Sequence, residues 1–270
     1  MIKCVVEQCN PSYKEAWMDI QYLKRDGKPD IAYRKTVAAD EADAPIVVFC
    51  GGFRSDMEGT KAVFLEELCK AEGYGYIRFD YSGHGQSGGI FEEGTISQWK
   101  DDALSVIDTL TGGKIVLVGS SMGGWISFLI ARERPDIVHG LIGLAAAPDF
   151  SREMYSENFS EDMRVELQET GRTYLPNDYS DEPYIITRDL IEDGEKNCFL
   201  DKGMALSCPV NLIQGKKDRD VPWKVAQRIQ EVISGTDVKV TYLDNADHRL
   251  SAPDELAVLK EELTAMLDKN

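Results

Sequence analysis

A chain of 270 residues with 43% apolar side chains can bury a sizeable core, and a formal charge of −17 argues against a nucleic-acid partner, whose binding draws on clustered Lys and Arg. The acidic groups are spread over the chain (Glu41 and Asp43, Glu66 and Glu67, Asp101 and Asp102), a pattern that serves solubility and says nothing of the substrate's charge. No run approaches the ~20 apolar residues of a membrane span.

Two strand-like runs open the chain, over 16–23 and 31–37, separated by the turn Arg25-Asp26-Gly27-Lys28-Pro29; they predict a β-hairpin. The unbroken apolar run Ile46-Val47-Val48-Phe49 suits a strand covered on both faces. Helix and strand then alternate. Val63, Leu65, Leu68 and Cys69 mark a helix over 60–72 that stops at Gly73, and 76–79 returns to strand. Thr95 with Gln98 resembles a capping box opening a helix striped by Ile96, Trp99, Ala103, Ile107 and Leu110.

Further strands are expected over 114–118, 137–144, 210–214 and 238–243, and helices over 121–134 and 222–233. A last helix is expected from Ser251, with Pro253 in its first turn and Leu256, Leu259, Leu263 and Met266 facing inward. The alternation predicts an α/β fold, a mostly parallel sheet behind the N-terminal hairpin with helices on both faces. One interval breaks the rhythm. Between Ala146 and Pro209 no clear strand is visible, but Phe150, Met154, Tyr155, Phe159, Met163, Tyr174, Tyr179 and Tyr184 argue for order. The whole chain, 1–270, reads as one domain with a helical cap inserted at 147–205.

The sharpest motif is Gly119-Ser120-Ser121-Met122-Gly123-Gly124, where an apolar strand meets a helix. A nucleophile on such a sharp turn needs residues without side chains two before and two after it. Gly119 and Gly123 bracket Ser121, whereas Ser120 would be bracketed by Val118 and Met122. The motif therefore selects Ser121. Three histidines are present. His84 precedes the serine and His139 sits at a strand start, so only His248, in the loop after the last strand, follows both the serine and an acid in the chain order this chemistry uses.

The acid is Asp218 or Asp220, both just after the strand at 210–214. Asp218 is favoured because Asp220 stands where it could cap the following helix, and Asp149 is a remote third candidate. The acid would fix the histidine's tautomer and stabilise its imidazolium. An oxyanion needs aimed donors; the backbone N–H groups of Met122 and Phe53 are the candidates, the latter in the Gly51-Gly52-Phe53 loop. The Gly-rich stretch over 79–87 lacks phosphate-cradle spacing and reads as a structural turn. Cys50 reads as a small buried filler.

The residues resemble the α/β-hydrolase family over nearly the whole chain. Within it the chain is similar to the mitochondrial acyl-glucuronide esterases and depalmitoylases of animals and their bacterial relatives. That likeness rests on the runs 52–62, 77–83 and 119–125, on Asp218 with Val221-Pro222-Trp223, and on Asp247-His248-Arg249. The resemblance implies hydrolysis of carboxylic esters, or of S-acyl thioesters, with Ser121, Asp218 and His248 matching the family triad. It implies a small-molecule ester or thioester substrate and neither a metal nor an organic cofactor.

An acyl-protein thioesterase and a carbon–carbon bond hydrolase stay open, as does a hydrolase-fold protein that only binds its ligand. Met1 to Gln8 carries neither a secretory h-region nor an Arg-rich presequence, so the expected location is the cytoplasm. The six cysteines, at positions 4, 9, 50, 69, 198 and 208, form no C-x-x-C and are expected to be reduced.

Overall fold

The structure, a computed structural model, describes residues 20–39, 44–176 and 183–268. Tyr179 of the expected cap, Cys4, Cys9 and the 16–19 part of the first strand lie outside them. The hairpin forms from β1 (Gln21–Leu23) and β2 (Ile31–Thr36), paired antiparallel across the Gly27 turn, where φ is +67°.

β3 (Ile46–Cys50), α1 (Thr60–Glu72) and β4 (Tyr76–Phe79) follow, and α1 stops at Gly73 in the left-handed conformation that glycine adopts without steric cost. α2 (Ile96–Leu110) opens on Thr95, whose side chain accepts the N–H of Gln98 at 3.2 Å. The reciprocal half of the expected capping box is not made. The Gln98 amide turns instead to Ser82 Oγ, 2.9 Å away.

β5 (Ile115–Ser120) runs into α3 (Met122–Glu133), which leads to β6 (Val138–Leu144). The interval expected to hold no strand proves mixed. It contains α4 (Phe150–Glu153) continuing into a π turn over Met154–Asn158, then α5 (Glu161–Thr170), β7 (Arg172–Leu175), β8 (Tyr184–Thr187), α6 (Arg188–Asn197) and β9 (Met204–Ala205). β7 and β8 pair antiparallel, and at four residues each they are too short to show a period in the sequence.

β10 (Val210–Gly215), α7 (Lys224–Val232), β11 (Ile233–Ser234), β12 (Val238–Leu243) and α8 (Pro253–Leu267) complete the chain. α7 begins two residues later than expected and ends where β11 pairs with β9. α8 is entered from Ala252, not Ser251: Glu255 Oε2 accepts the Ala252 N–H at 2.8 Å, while the Ser251 hydroxyl bonds the Arg249 carbonyl.

Eight strands form one sheet in the order β1-β2-β4-β3-β5-β6-β10-β12. The pairs β1·β2 and β2·β4 are antiparallel and the rest are parallel. Successive side chains point to opposite faces, so Val48, Cys50, Ile77 and Leu117 pack under α2 and α3, while Val47, Phe49, Tyr76 and Val116 pack against α1 and α8. From β3 the chain moves first to β4 on one side and then to β5 on the other. The strand order reverses there, and the crevice beyond the carboxyl ends of β3 and β5 is where open α/β sheets hold their ligands.

Candidate active site

Ser121 stands in that crevice, between β5 and α3, with φ +53° and ψ −118°. Such a conformation costs about 1–3 kcal/mol for a residue with a side chain, so its surroundings must hold it. The Ser121 N–H donates to the Leu144 carbonyl at 2.9 Å, and its own carbonyl accepts the N–H groups of Gly124 and Ala147. The two glycines permit the turn by contact. A Cβ on Gly119 would lie 2.3 Å from the Gly123 carbonyl oxygen, and one on Gly123 would lie 2.0 Å from the Cys50 carbonyl oxygen. The start of α3 therefore rests directly on the end of β3.

His248 reaches Ser121 from the loop after β12: its Nε2 lies 3.2 Å from the Ser121 Oγ. Its Nδ1 lies 2.9 Å from Asp218 Oδ2. The carboxylate is wholly buried and holds four donors. Oδ1 accepts the N–H groups of Asp220 and Val221, and Oδ2 accepts Gln214 Nε2 at 3.0 Å as well as His248. An oxygen acceptor at Nδ1 draws the ring proton to that nitrogen, leaving Nε2 to face the Ser121 hydroxyl as an acceptor.

Of the two acids weighed, Asp218 meets the histidine. Asp220 does not cap α7, whose N-cap is Trp223 with no side-chain bond. Asp218, Asp220 and His248 offer ligand-type atoms within 4.8 Å of one another, but Asp218 commits both oxygens to protein donors.

Three polar groups raised from sequence lie elsewhere. Asp149 is buried, with its carboxylate accepting the N–H groups of Phe199 and Leu200 at 3.0 Å each, and desolvation raises its pKa. His139 has a buried Nε2 without a hydrogen-bond partner among the described residues. Cys50 is fully buried, and desolvation pushes its thiol up to about 11, so it stays protonated. Of the six cysteines, the four that are described are free and buried.

The loop after β3 faces Ser121. A Cβ on Gly52 would sit 3.5 Å from the Ser121 Cβ. The Gly52 carbonyl accepts both the Ser55 N–H at 3.2 Å and the Ser55 hydroxyl at 2.9 Å. Arg54 is left-handed, with φ +53°. The Phe53 ring meets Phe91, Trp99, Phe150 and Tyr184 edge-on at 5.0–6.0 Å between centroids. Phe150 and Tyr184 come from the segment after β6, so this one ring ties the loop to that segment. Met122 opens α3, and its N–H belongs to the first turn, which has no intrahelical acceptor and carries the positive end of the helix dipole.

A cavity of about 660 Å³ opens over Ser121 and His248. Phe53, Met122 and Val221 line it from the body, and Phe150, Met154, Leu175 and Tyr184 from the segment after β6. Two residues of the site carry no motif in the sequence: Gln214, a polar side chain ending an apolar strand, which holds Asp218 from outside the cavity, and Ser55, which lines the cavity and holds the Gly52 carbonyl. The polar terminus of Val210-Asn211-Leu212-Ile213-Gln214 was the available signal.

A chain with this sheet, this turn and this serine–histidine–carboxylate cluster has the architecture of a serine hydrolase. The profile of the family described as Serine aminopeptidase, S33 matches residues 41–190. The mitochondrial palmitoyl-protein thioesterase ABHD10 of Bos taurus is 37% identical over 251 residues, covering 93% of this chain and 80% of the relative. A solved structure from Agrobacterium vitis S4 superposes with a TM-score of 0.88 at 37% identity, covering 93% of this chain and 99% of that one. The α/β-hydrolase domain-containing protein 10 of mouse gives 0.85 at 34% identity, again over 93% and 99%. The chain belongs to the α/β-hydrolase family, in the branch that includes these proteins, and is a hydrolase of esters or thioesters.

The expectation of a cytoplasmic protein is overturned at this point, because the Bos taurus relative is by name a mitochondrial protein. Among the described residues no helix is long and apolar enough to cross a membrane.

Proposed function

We propose that Ser121, His248 and Asp218 form a catalytic triad that hydrolyses acyl esters and thioesters through an acyl-enzyme. The observation that carries this reading is the unbroken chain Ser121 Oγ, His248 Nε2, His248 Nδ1, Asp218 Oδ2, at 3.2 and 2.9 Å. His248 accepts the Ser121 proton as Oγ attacks the substrate carbonyl, and the oxyanion that forms is met by the N–H groups of Met122 and Phe53. The imidazolium, stabilised by Asp218, returns its proton to the departing alkoxide or thiolate. Water then repeats the sequence: His248 takes its proton, the acyl–Oγ bond breaks, and the free acid leaves with Ser121 reprotonated.

The segment 147–205 serves as the cap, and its Phe150, Met154, Leu175 and Tyr184 make the roof of the cavity apolar. Apolar lining suits the acyl chain better than a charged leaving group. Thioesters are the favoured leaving-group class because the Bos taurus relative carries the name of a palmitoyl-protein thioesterase. The test is hydrolysis of matched p-nitrophenyl esters and acyl-thioesters of rising chain length by purified protein and by Ser121→Ala. Loss of turnover by about 10⁴-fold or more in a folded variant is expected; retained turnover in Ser121→Ala overturns the assignment.

A further inference from the structure

The Gly-rich stretch over 79–87 is a turn, and its tightness has a purpose beyond the turn. Gly83 and Gly85 have φ +75° and +45°. A Cβ on Gly83 would lie 2.6 Å from the Phe91 backbone, and one on Gly85 would lie 2.2 Å from an Asp80 carboxylate oxygen. Asp80 holds both sides of this junction, accepting the Gln86 N–H at 2.8 Å from its own turn and the Met57 N–H at 2.7 Å from the loop after β3. Between the two glycines the His84 ring is driven into the interior, where it is 3% exposed and packs edge-on against Tyr81, Phe91 and Trp99.

His84 is a buried titratable group that the triad does not use. Its Nε2 lies 3.2 Å from the Arg54 backbone nitrogen, and its Nδ1 lies 3.3 Å from the Ser82 carbonyl. The Arg54 N–H can only donate, so Nε2 must accept and the proton sits on Nδ1, directed at Ser82. The Ser82 carbonyl is itself held by Trp99 Nε1 at 3.1 Å, and Ser82 is anchored through its N–H and hydroxyl to Asp102. The imidazole is therefore fixed at both nitrogens. Burial pushes it down to about 4, with Asp102 opposing and Arg54 reinforcing the shift, so it remains a neutral acceptor at neutral pH.

In a trans peptide the N–H and C=O point in opposite directions, so holding one group aims the other. Ser55 holds the Gly52 carbonyl, which aims the Phe53 N–H. The next peptide, whose N–H belongs to Arg54, has His84 as its acceptor and leads into a left-handed residue that would relax if released. We propose that His84 is a positioning residue for the oxyanion loop, locking the peptide after Phe53 by accepting the Arg54 N–H. The proposal rests on the reading of Phe53 N–H as an oxyanion donor.

The experiment compares wild type, His84→Leu, His84→Gln and Ser55→Ala by kcat and KM on a p-nitrophenyl ester and by affinity for a trifluoromethyl ketone, whose adduct places an oxyanion in the hole. His84→Leu fills the space without an acceptor. It is expected to lower kcat and ketone affinity together by about tenfold to a hundredfold while KM holds, since a displaced donor costs less than a deleted one. His84→Gln, with an acceptor oxygen, should recover most of both.

Unchanged kcat and ketone affinity in folded His84→Leu, with Ser55→Ala weakened, would overturn the role of His84 alone. Unchanged ketone affinity in both variants would instead overturn the reading of the Phe53 loop. If His84→Leu does not fold, the ring nitrogens of wild-type His84 decide by ¹⁵N NMR: an unprotonated Nε2 with protonated Nδ1 at neutral pH is expected, and a protonated Nε2 overturns the proposal.

Discussion

At the scale of single residues, two carboxylates stand beside one histidine and their environments separate them. Asp218 is buried and accepts from His248, whereas Asp220 contributes its backbone N–H to Asp218. Asp218→Asn should therefore lower kcat by about 10⁴-fold, since an amide can present its NH₂ to Nδ1 and hold the wrong tautomer. Asp220→Asn should leave kcat within a few fold. Steady-state kinetics on one ester checks both, and the reverse ranking would reassign the acid.

Gln214 makes a finer case. Gln214→Leu removes a donor from Asp218 Oδ2 and leaves the carboxylate under-satisfied in the interior, so we expect about tenfold lower kcat and roughly 1–3 kcal/mol less stability by urea unfolding. Ser121 and His248 were legible in the sequence because glycine spacing and chain order are local and ordinal signals. Gln214 was not, because its amide meets Asp218 and Val221 only once the chain turns back beyond the end of β10, and His84 was not, because only the folded sheet brings Arg54 to it across 30 positions of sequence.

At the scale of elements, periodicity located most helices and strands, and side-chain bonds decided their ends. Gln98 carries the spacing of a capping box but spends its amide on Ser82, and the last helix starts one turn-forming residue beyond the serine that looked like its cap. Ala252 already has the extended N-cap backbone, φ −70° and ψ 154°, and the bond from its N–H to Glu255. Ala252→Ser should complete the box and stabilise the protein by about 1 kcal/mol, a rise of roughly 2–4 °C in Tm. Thermal unfolding at neutral pH checks this, and an unchanged or lower Tm would contradict it. The β7–β8 hairpin escaped periodicity because four-residue strands hold two apolar positions per face at most.

At the scale of the whole molecule, the reversal of strand order at β3 and β5 brings the Gly51–Phe53 loop and the serine turn to one crevice, while β12 delivers His248 to the same edge. The His84 ring at the centre of this arrangement also links proton uptake to folding. Folded His84 titrates at about 4, below the ordinary 6.5, so between those values the unfolded chain binds more protons and stability falls as pH falls. Acid unfolding should be steeper in wild type than in His84→Gln across that window; parallel curves would contradict the buried, neutral histidine.

If Ser121 carries the acyl group between two half-reactions, a fluorophosphonate should phosphonylate it, and mass spectrometry of the modified peptide locates the adduct. One phosphonyl adduct is expected, on Ser121, absent from Ser121→Ala and slowed in Asp218→Asn. An adduct on another residue, or none from a protein that still turns over ester, would contradict it.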